Sequence, residues 1–432
     1  MSRKYDIAIF GATGLTGKYI VQHVYELSTQ QPGYFAANFE WAIAGRNESA
    51  LNNIIDEYSA RYPRASVSRP AVLLADVTRR DSLDAVTQQS KVLINAVGPF
   101  RFMGEYVVRS CVEQGCDYVD ITGEPEFIER MQRTYHDQAK AKNVTIVHAC
   151  GFDSVPSDMG VIWLKQAYQA RGWTPTQIEM FLRIHTGPAG MRGGYATYES
   201  AVHGFSSVEL LREIRKASNL APLPRVSPDD RLKFHKSLTF DQRLGYHVPF
   251  MFADPSVVRL SQQLFLTGYA TKEKDNDALP TVQFAAYLLL PSLFIAILYH
   301  IYGFIFSLLA PTPWGRRLLL KYPEQFSGGL FSKQHPTEDQ LNQTSFEMIL
   351  RSKGKTTNGS PEQVNLLVRG PELGYVATPR IVLQCALTIL NEKSTSISAG
   401  VLTPGAAFWQ TDLIRRLRTV GVTYDEQCPP VS

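Results

Sequence analysis

Three glycines stand at intervals of three residues close to the start of the chain. A residue without a Cβ lets the backbone turn tightly and come close to a bulky anion. The apolar residues before them, Tyr5–Phe10, are typical of a buried strand, and Lys18–Leu27 is typical of a helix. A glycine turn in that setting directs free N–H groups toward a phosphate, although a purely structural turn is the alternative. The residues predicted to surround the phosphate are Gly11, Thr13, Gly14, Leu15 and Gly17.

The second predicted strand, Phe39–Ala44, ends at an arginine rather than at an acid. In an NAD-binding unit an Asp or Glu at this place holds the ribose hydroxyls. Arg46 stands there instead and is followed by Asn47, which we include in the predicted site. Because a guanidinium pairs well with a 2′-phosphate, the residue type favours NADP(H) over NAD(H). A solvated surface arginine is the alternative.

Further contacts with a dinucleotide are expected where the third and fourth strands end. Asp76 follows the strand Ala71–Leu74, where it could contact the adenine edge or cap the next helix. The fourth strand, Lys91–Val97, is expected to end beside the first, at the point where the strand order reverses. A nicotinamide ring would lie there. The residues predicted to line it are Asn95, Gly98 and Pro99.

Six predicted strands alternate with five predicted helices before Cys150, which predicts a doubly wound parallel sheet. An enzyme that uses a nicotinamide also needs a proton donor within hydrogen-bond reach of its substrate. Asp153 and Ser154 follow the sixth strand, and Tyr195 and Tyr198 follow a glycine-rich loop. We predict that the donor is one of these side chains, with Asp153, Ser154 and Tyr198 as the catalytic candidates. Asp153 could instead only organise its loop.

Five segments resemble those of a known family: GATGLTG, AGRN, VGPF, DYVDITGEPEF and ACGFDSVPSD. In this order and spacing they resemble the saccharopine dehydrogenase-like oxidoreductases, which include animal saccharopine dehydrogenase-like proteins and mycobacterial trans-acting enoyl reductases. The resemblance is specific over residues 5–165 and returns more loosely at Gly370–Thr378 and Gly400–Phe408. It implies three parts: a Rossmann domain (1–155), a second α/β domain (156–375) and a C-terminal segment (376–432) that returns to the first domain.

One stretch, Thr281–Ala310, is unusually apolar. Asp, Glu, Lys and Arg are all absent between Asp277 and Arg316, so membrane attachment has to be considered. Pro291 divides the stretch and leaves Ser292–Leu309, whose length is at the lower limit for a full span. A single crossing would separate the C-terminal segment from the first domain, so we predict a re-entrant hairpin or an apolar helix lying in the membrane plane. A fully buried helix and an interface in a homodimer are the alternatives.

Composition and flanking residues indicate where the protein lies and which partners to expect. Five cysteines without C-x-x-C spacing indicate reduced thiols and no metal site, as in the cytosol. The net charge is only +4 and Lys and Arg are spread along the chain, so we expect no nucleic acid partner. We predict attachment to the cytosolic face of a membrane or lipid droplet. The side chains suited to its boundary are Tyr299, Tyr302, Trp314, Arg316, Arg317 and Lys321.

These patterns predict an NADP(H)-dependent oxidoreductase that acts on a lipid-like C=O or C=C group at a membrane or lipid-droplet surface. Its hydride would come from the cofactor, and the protein would place the substrate and supply a proton. A membrane-attached NADP(H)-binding sensor, scaffold or lipid carrier without turnover is the alternative. Saccharopine chemistry ranks last, because a multiply charged substrate would require a site rich in Arg and Lys.

Overall fold

The computed structural model describes residues 3–205, 207–226, 231–271 and 279–427. The strands in chain order are β1 (Tyr5–Phe10), β2 (Trp41–Gly45), β3 (Ala71–Leu74), β4 (Ser90–Asn95), β5 (Asp117–Asp120), β6 (Thr145–Val147), β7 (Thr174–His185), β8 (Gly193–Gly194), β9 (Thr239–Asp241), β10 (Gly245–Pro249), β11 (Gln283–Leu290), β12 (Phe331–Ser332), β13 (Ser345–Lys355), β14 (Pro361–Glu362), β15 (Asn365–Pro371), β16 (Gly400–Leu402) and β17 (Thr423–Gln427).

In the first third of the chain one helix follows each strand, and later the alternation is less regular. In chain order they are α1 (Leu15–Gln30), α2 (Glu48–Arg61), α3 (Arg80–Gln89), α4 (Phe100–Gln114), α5 (Pro125–Ala141), α6 (Val155–Ala170), α7 (Tyr195–Phe205), α8 (Val208–Lys216), α9 (Asp254–Thr267), α10 (Leu293–Leu309), α11 (Pro313–Lys321), α12 (Pro323–Phe326), α13 (Glu338–Gln343), α14 (Thr378–Ser396), α15 (Pro404–Phe408) and α16 (Leu413–Thr419). A π-helical turn, Leu373–Ala377, leads into α14.

The first sheet, sheet A, is parallel throughout and has the strand order β16-β6-β5-β4-β1-β2-β3. The order reverses between β1 and β4, where doubly wound sheets bind nucleotides. Alternate residues of β1 enter different cores, because helices cover both faces of the sheet: Ile7 and Ile9 lie in one, and Ala8 and Phe10 in the other. The predicted doubly wound parallel sheet is confirmed.

The second sheet, sheet B, is mixed and has the order β17-β15-β13-β7-β11-β10-β9. Its inner face packs against α6 and α9 through alternate residues of β7, such as Met180 and Leu182. The intervening Glu179 and Arg183 face away from this core and form ion pairs. This alternation follows from the period of two in a strand, and it confirms the expected second α/β domain.

The apolar stretch Thr281–Ala310 is not one membrane segment. Its first half contains β11, which pairs with β7 and β10 inside sheet B. Only the second half forms an exposed apolar helix, α10, after the break at Pro291. The predicted re-entrant hairpin was therefore wrong, because a strand buried on both faces has the same uncharged composition as a membrane segment. Ala296 is the one buried residue within α10, so the alternative of a fully buried helix was wrong too.

Another helix is long and apolar enough to cross a membrane by length and composition alone. It comprises the π-helical turn and α14, Leu373–Ser396, and most of it is buried within the protein. It packs against α1, β4 and β5 of the first domain, as a core helix does. The predicted C-terminal segment, 376–432, is divided between the sheets, because β16 joins sheet A whereas β17 pairs with β15 in sheet B.

Candidate active site

The turn between β1 and α1 brings the ends of β1 and β4 into contact. Gly11 has a φ of +87°, a conformation that favours glycine. A Cβ there would lie 2.8 Å from Cγ2 of Val97 and 3.1 Å from the carbonyl carbon of Ala96. Only glycine therefore fits where the turn after β1 packs against the turn after β4.

The N-terminus of α1 is left open by its own residues. A Cβ on Gly17 would lie 2.1 Å from the carbonyl oxygen of Gly11, which explains the third glycine of the motif. Gly14 is the N-cap residue and has no side chain with which to cap the helix, and the first turn carries no acid. Thr13 and Leu15 are partly exposed beside it. These residues fit a pyrophosphate, because free N–H groups and the helix dipole attract an anion.

The ends of β2 and β3 place an arginine and an aspartate together. Arg46 is exposed, and its charge helps to lower the pKa of Asp76. The largest cause of that shift is the hydrogen bond that Asp76 Oδ1 accepts from the backbone N–H of Thr78, at 2.8 Å. Asn47 caps α2, since its Oδ1 accepts from the N–H of Ala50 at 3.0 Å. The hydrogen bonds of Asp76 and Asn47 thus stabilise the local backbone, and the exposed guanidinium of Arg46 is accessible to a phosphate.

The buried side chain of Asn95 supports the turn after β4 from the core side. Asn95 is fully buried; its amide donates to the hydroxyl of Tyr118 at 3.0 Å, and its Oδ1 accepts from the N–H of Val97. The predicted place of Asn95 beside the cofactor stays a prediction, and the structure gives its side chain the task of holding the turn from the core side. Gly98 is partly exposed in the turn, and Pro99, which is buried, is the N-cap residue of α4.

A buried glutamate closes the N-terminus of α4. Glu124 accepts from the backbone N–H groups of Phe100 and Arg101, at 3.0 and 3.2 Å, and from Nε of Arg101 at 2.9 Å. The Arg101 and Glu124 side chains are 8% and 2% exposed. Sequence reasoning missed this residue, although it lies in the TGEPEF segment directly before the first helical proline, where an acid favours the helix.

The ends of β5 and β6 are joined by a second buried network. Oδ2 of Asp120 accepts from the Tyr118 hydroxyl at 2.8 Å and lies 2.7 Å from Nδ1 of His148. Its Oδ1 accepts from the N–H of Ala149 at 3.0 Å. All these side chains are fully buried, so the network fixes the strand ends and does not reach the protein surface.

Asp153 is the predicted catalytic side chain that remains accessible after β6. It is partly exposed, and its Oδ2 lies 2.9 Å from the position of a Cβ on Gly123. Loss of solvation raises the pKa of Asp153 to about 6. Ser154 is fully buried and donates to the carbonyl oxygen of Asp153, so Asp153 is the better placed of these two predicted residues for proton transfer.

Two further carboxyl groups lie buried behind Asp153. Oδ2 of Asp158 accepts from Ser261 Oγ and from the N–H of Gly405, both at 2.7 Å. Burial raises the pKa of Asp158 to about 6. Burial also raises the pKa of Asp254 well above its usual value, and the charges of Asp153 and Asp158 add to the effect.

Helix α7 places Tyr198 in a buried apolar contact. Its side chain is 2% exposed, and its ring centroid lies 5.5 Å from that of Phe331 and 6.2 Å from that of Phe306. Burial raises the pKa of Tyr198 to about 12. The catalytic role of Tyr198 stays a prediction, and the structure uses its ring in an apolar contact with α10. Tyr195 is partly exposed, and the ammonium of Lys333 lies 5.1 Å from its ring centroid.

Helix α10 presents an apolar stripe to solvent. Its residues recur at helical spacing, which places them on one face. They are between 49% and 67% exposed: Phe294, Ile297, Ile301, Phe304 and Leu308. Trp314, at the start of α11, is 68% exposed. A continuous patch of this kind marks an interaction surface.

Comparison with known proteins identifies the cofactor of the first domain. Residues 7–147 match the family model described as the saccharopine dehydrogenase NADP binding domain. The glycine turn and the open α1 N-terminus fit that description. The prediction that NADP(H) is the cofactor is confirmed.

Three relatives match along nearly the whole chain. A Homo sapiens saccharopine dehydrogenase-like oxidoreductase is 37% identical, covering 98% of this chain and 97% of the relative. An Arabidopsis thaliana protein named probable mitochondrial saccharopine dehydrogenase-like oxidoreductase is 34% identical, covering 98% and 96%. A Caenorhabditis elegans protein named lipid droplet localized protein is also 34% identical, covering 98% of each chain.

A solved structure supports the fold at a greater distance. Saccharopine dehydrogenase (L-Glu forming) from Saccharomyces cerevisiae superimposes with a TM-score of 0.53 at 11% identity, covering 98% of this chain and all of that one. At this identity the likeness concerns the arrangement of the two sheets and says nothing about the substrate.

Proposed function

This chain belongs to the saccharopine dehydrogenase-like oxidoreductases, and on that premise we propose that it is an NADP(H)-dependent reductase of a lipid-like C=O or C=C substrate at a lipid surface. The observation that carries the proposal is the exposed apolar stripe of α10, a helix whose Phe306 packs against Tyr198 of α7. Few soluble reductases of small polar substrates would need such a face.

Backbone N–H groups and one cationic side chain would bind the cofactor. The open N-terminus of α1 would hold the pyrophosphate, and Arg46 would pair with the 2′-phosphate. When bound, NADPH supplies a hydride to the substrate carbon. Gly98 and Pro99 shape the adjoining surface, and the glycines at the β1 turn allow the close approach that a dinucleotide needs.

Asp153 is the side chain we assign as proton donor. It lies at the carboxyl edge of sheet A, next to the turn after β5. Its raised pKa of about 6 lets a useful fraction hold a proton near neutral pH. The proton would pass from its carboxyl oxygen to the substrate atom that gains the negative charge. Activity carried by this group should fall as the pH rises through about 6.

The lipid surface is the partner we assign to α10. The axis of α10 would lie parallel to the lipid surface, with the apolar stripe inserted into it and Trp314 at the boundary. Arg317 and Lys321 are exposed on the adjoining α11, where they suit anionic headgroups. The name of the nematode relative supports a lipid droplet, whereas the name of the plant relative points to mitochondria.

A protein that binds NADP(H) without turnover is the second candidate. It is favoured by the burial of Ser154 and Tyr198, which leaves Asp153 and Tyr195 as the partly exposed residues among the predicted donors. Such a protein would still bind NADPH and lipid but would not consume the cofactor.

Flotation with phospholipid-coated triglyceride emulsions tests the lipid partner. Wild type should float with the emulsion, and Phe304→Glu should stay in the soluble fraction, because it places a charge in the middle of the stripe. Met251→Glu is the matched control, since Met251 is 65% exposed but lies outside α10. If Phe304→Glu floats like wild type, the lipid assignment is wrong. If wild type instead forms a dimer that Phe304→Glu dissociates, the stripe is an interface between copies.

A further inference from the structure

Helix α7 has two faces that contact different parts of the molecule. One face meets α10 and α11: Tyr198 and Val202 share a buried apolar cluster with Ala310, directly after α10, and with Leu319 of α11. Phe306 and Leu309 of α10 pack against this cluster. Phe205 continues this contact, with its ring centroid 5.1 Å from that of Phe306 in α10. A displacement of α10 would therefore have to move α7 or open this cluster.

The other face of α7 is hydrogen-bonded to the first turn of α4 and to Glu124, in the turn after β5. Ser200 Oγ donates to Oε1 of Glu124 at 3.0 Å. Nη1 of Arg101 donates to the backbone carbonyl of His203 at 2.6 Å and also to the hydroxyl of Ser207. We call Arg101, Glu124 and Ser200 the clamp.

The clamp is rigid for a physical reason. Glu124 also accepts the two backbone N–H groups at the start of α4, so the same carboxylate fixes α7 and the turn after β4. A buried ion pair is tolerated only when its remaining bonding positions are satisfied. Because the pair is nearly free of solvent, moving α7 alone would break charged hydrogen bonds in a low dielectric.

We propose that Glu124 is a positioning residue that ties the lipid-facing helix α10, through α7, to the turn beside the nicotinamide. A lipid surface that holds α10 would then also hold that turn in the arrangement that accepts NADPH. The proposal rests on the proposed function for its lipid partner. Linkage is reciprocal, so lipid must tighten NADPH binding by the same factor by which NADPH tightens lipid binding.

The test is a pair of titrations on the full chain. NADPH affinity is measured with and without a phospholipid-coated triglyceride emulsion, and emulsion affinity is measured with and without NADPH. We expect wild type to gain at least about fivefold in both, the lower end of ordinary coupling. Ser200→Ala should lower both factors, because it removes the direct hydrogen bond from α7 to Glu124 and leaves only the bonds of Arg101 to His203 and Ser207. Thr197→Ala is the matched control, since Thr197 lies on the same helix and is exposed.

The outcomes separate the inference from the proposed function. If wild type does not bind the emulsion at all, the proposed lipid partner is wrong, and the inference falls with it. If it binds but NADPH affinity is the same with and without emulsion, the inference alone is overturned. Equal coupling in Ser200→Ala and wild type would also overturn it. Glu124→Gln gives a second reading, and in a folded protein it should abolish the coupling as well.

Discussion

Two halves of the same edge of sheet A are built in opposite ways. Beside β1 and β2 the chain leaves an open helix N-terminus at Gly14 and an exposed Arg46. Beside β4 to β6 it provides carboxylates, with Glu124 filling the N-terminus of α4 and Asp153 partly exposed after β6. A helix N-terminus attracts anions wherever it occurs. The difference supports our proposal that the phosphates bind in the half left open and that proton transfer takes place in the half that holds acids.

The largest expected effect comes from removing the charge of Glu124, in the half that holds acids. Glu124→Gln removes the charge that pairs with Arg101, which is 8% exposed in the pair. A buried ion that loses its partner costs about 3–5 kcal/mol of stability. Urea unfolding should show this loss, and Asp412→Asn, in an exposed pair with Arg415, should show no measurable change. Equal stability of wild type and Glu124→Gln would contradict the buried clamp.

A second effect concerns the buried acid behind Asp153. The pKa of Asp158 is raised to about 6, so the stability that its protonated form provides is lost as the pH rises through that value. Asp158→Asn should therefore become more stable relative to wild type between pH 4 and pH 7, by about 3 kcal/mol. Thermal unfolding across this range measures the difference. If the difference in stability between Asp158→Asn and wild type does not change with pH, burial does not raise the pKa of Asp158.

Closing the open half should affect the cofactor. Gly11→Ala places a methyl group 2.8 Å from Val97 and should weaken NADPH binding by about 100-fold, or about 2.7 kcal/mol. Gly33→Ala is a matched control, because Gly33 has the same φ of +87° but would meet nothing within 4 Å. NADPH titration should leave Gly33→Ala like wild type. A similar loss in both variants would point to backbone strain rather than to the site.

The smallest effect should separate the two dinucleotides. Arg46→Ala removes a charged hydrogen bond to the 2′-phosphate, worth about 1.5–3 kcal/mol. NADPH binding should weaken by about 10-fold or more, while NADH binding stays unchanged because NADH lacks that phosphate. Titration of each variant with both nucleotides provides the check. Equal losses for both would mean that Arg46 does not contact the phosphate.

The open half could be predicted from the sequence because its signals are local. The glycine spacing, the buried strand before it and the arginine at the tip of β2 all lie within short segments. The family resemblance extended the prediction to sheet A, and the comparisons confirmed the fold and the cofactor. Asn95 was the exception, since its burial depends on Tyr118 in a neighbouring strand.

The filled half could not be predicted in the same way because it depends on distant contacts. Ser200 is 76 residues from Glu124, and nothing in either segment indicates their hydrogen bond. Tyr198 was assigned to catalysis because a tyrosine after a glycine loop suits that role, but its position against Phe306 is decided by tertiary packing. The strand β11 was mistaken for membrane sequence because burial in a sheet and burial in lipid select the same residues.

Consumption of NADPH on a lipid emulsion tests the central claim most directly. Emulsions carrying a long-chain ketone, aldehyde or 2-enoyl thioester would be supplied to wild type and to Asp153→Asn, and loss of nicotinamide absorbance would be followed. We predict turnover by wild type on at least one of these substrates, and a rate lower by about 100-fold or more in Asp153→Asn with NADPH binding retained. Tight NADPH binding by wild type without oxidation on any of them would contradict the claim and would identify a binding protein without turnover.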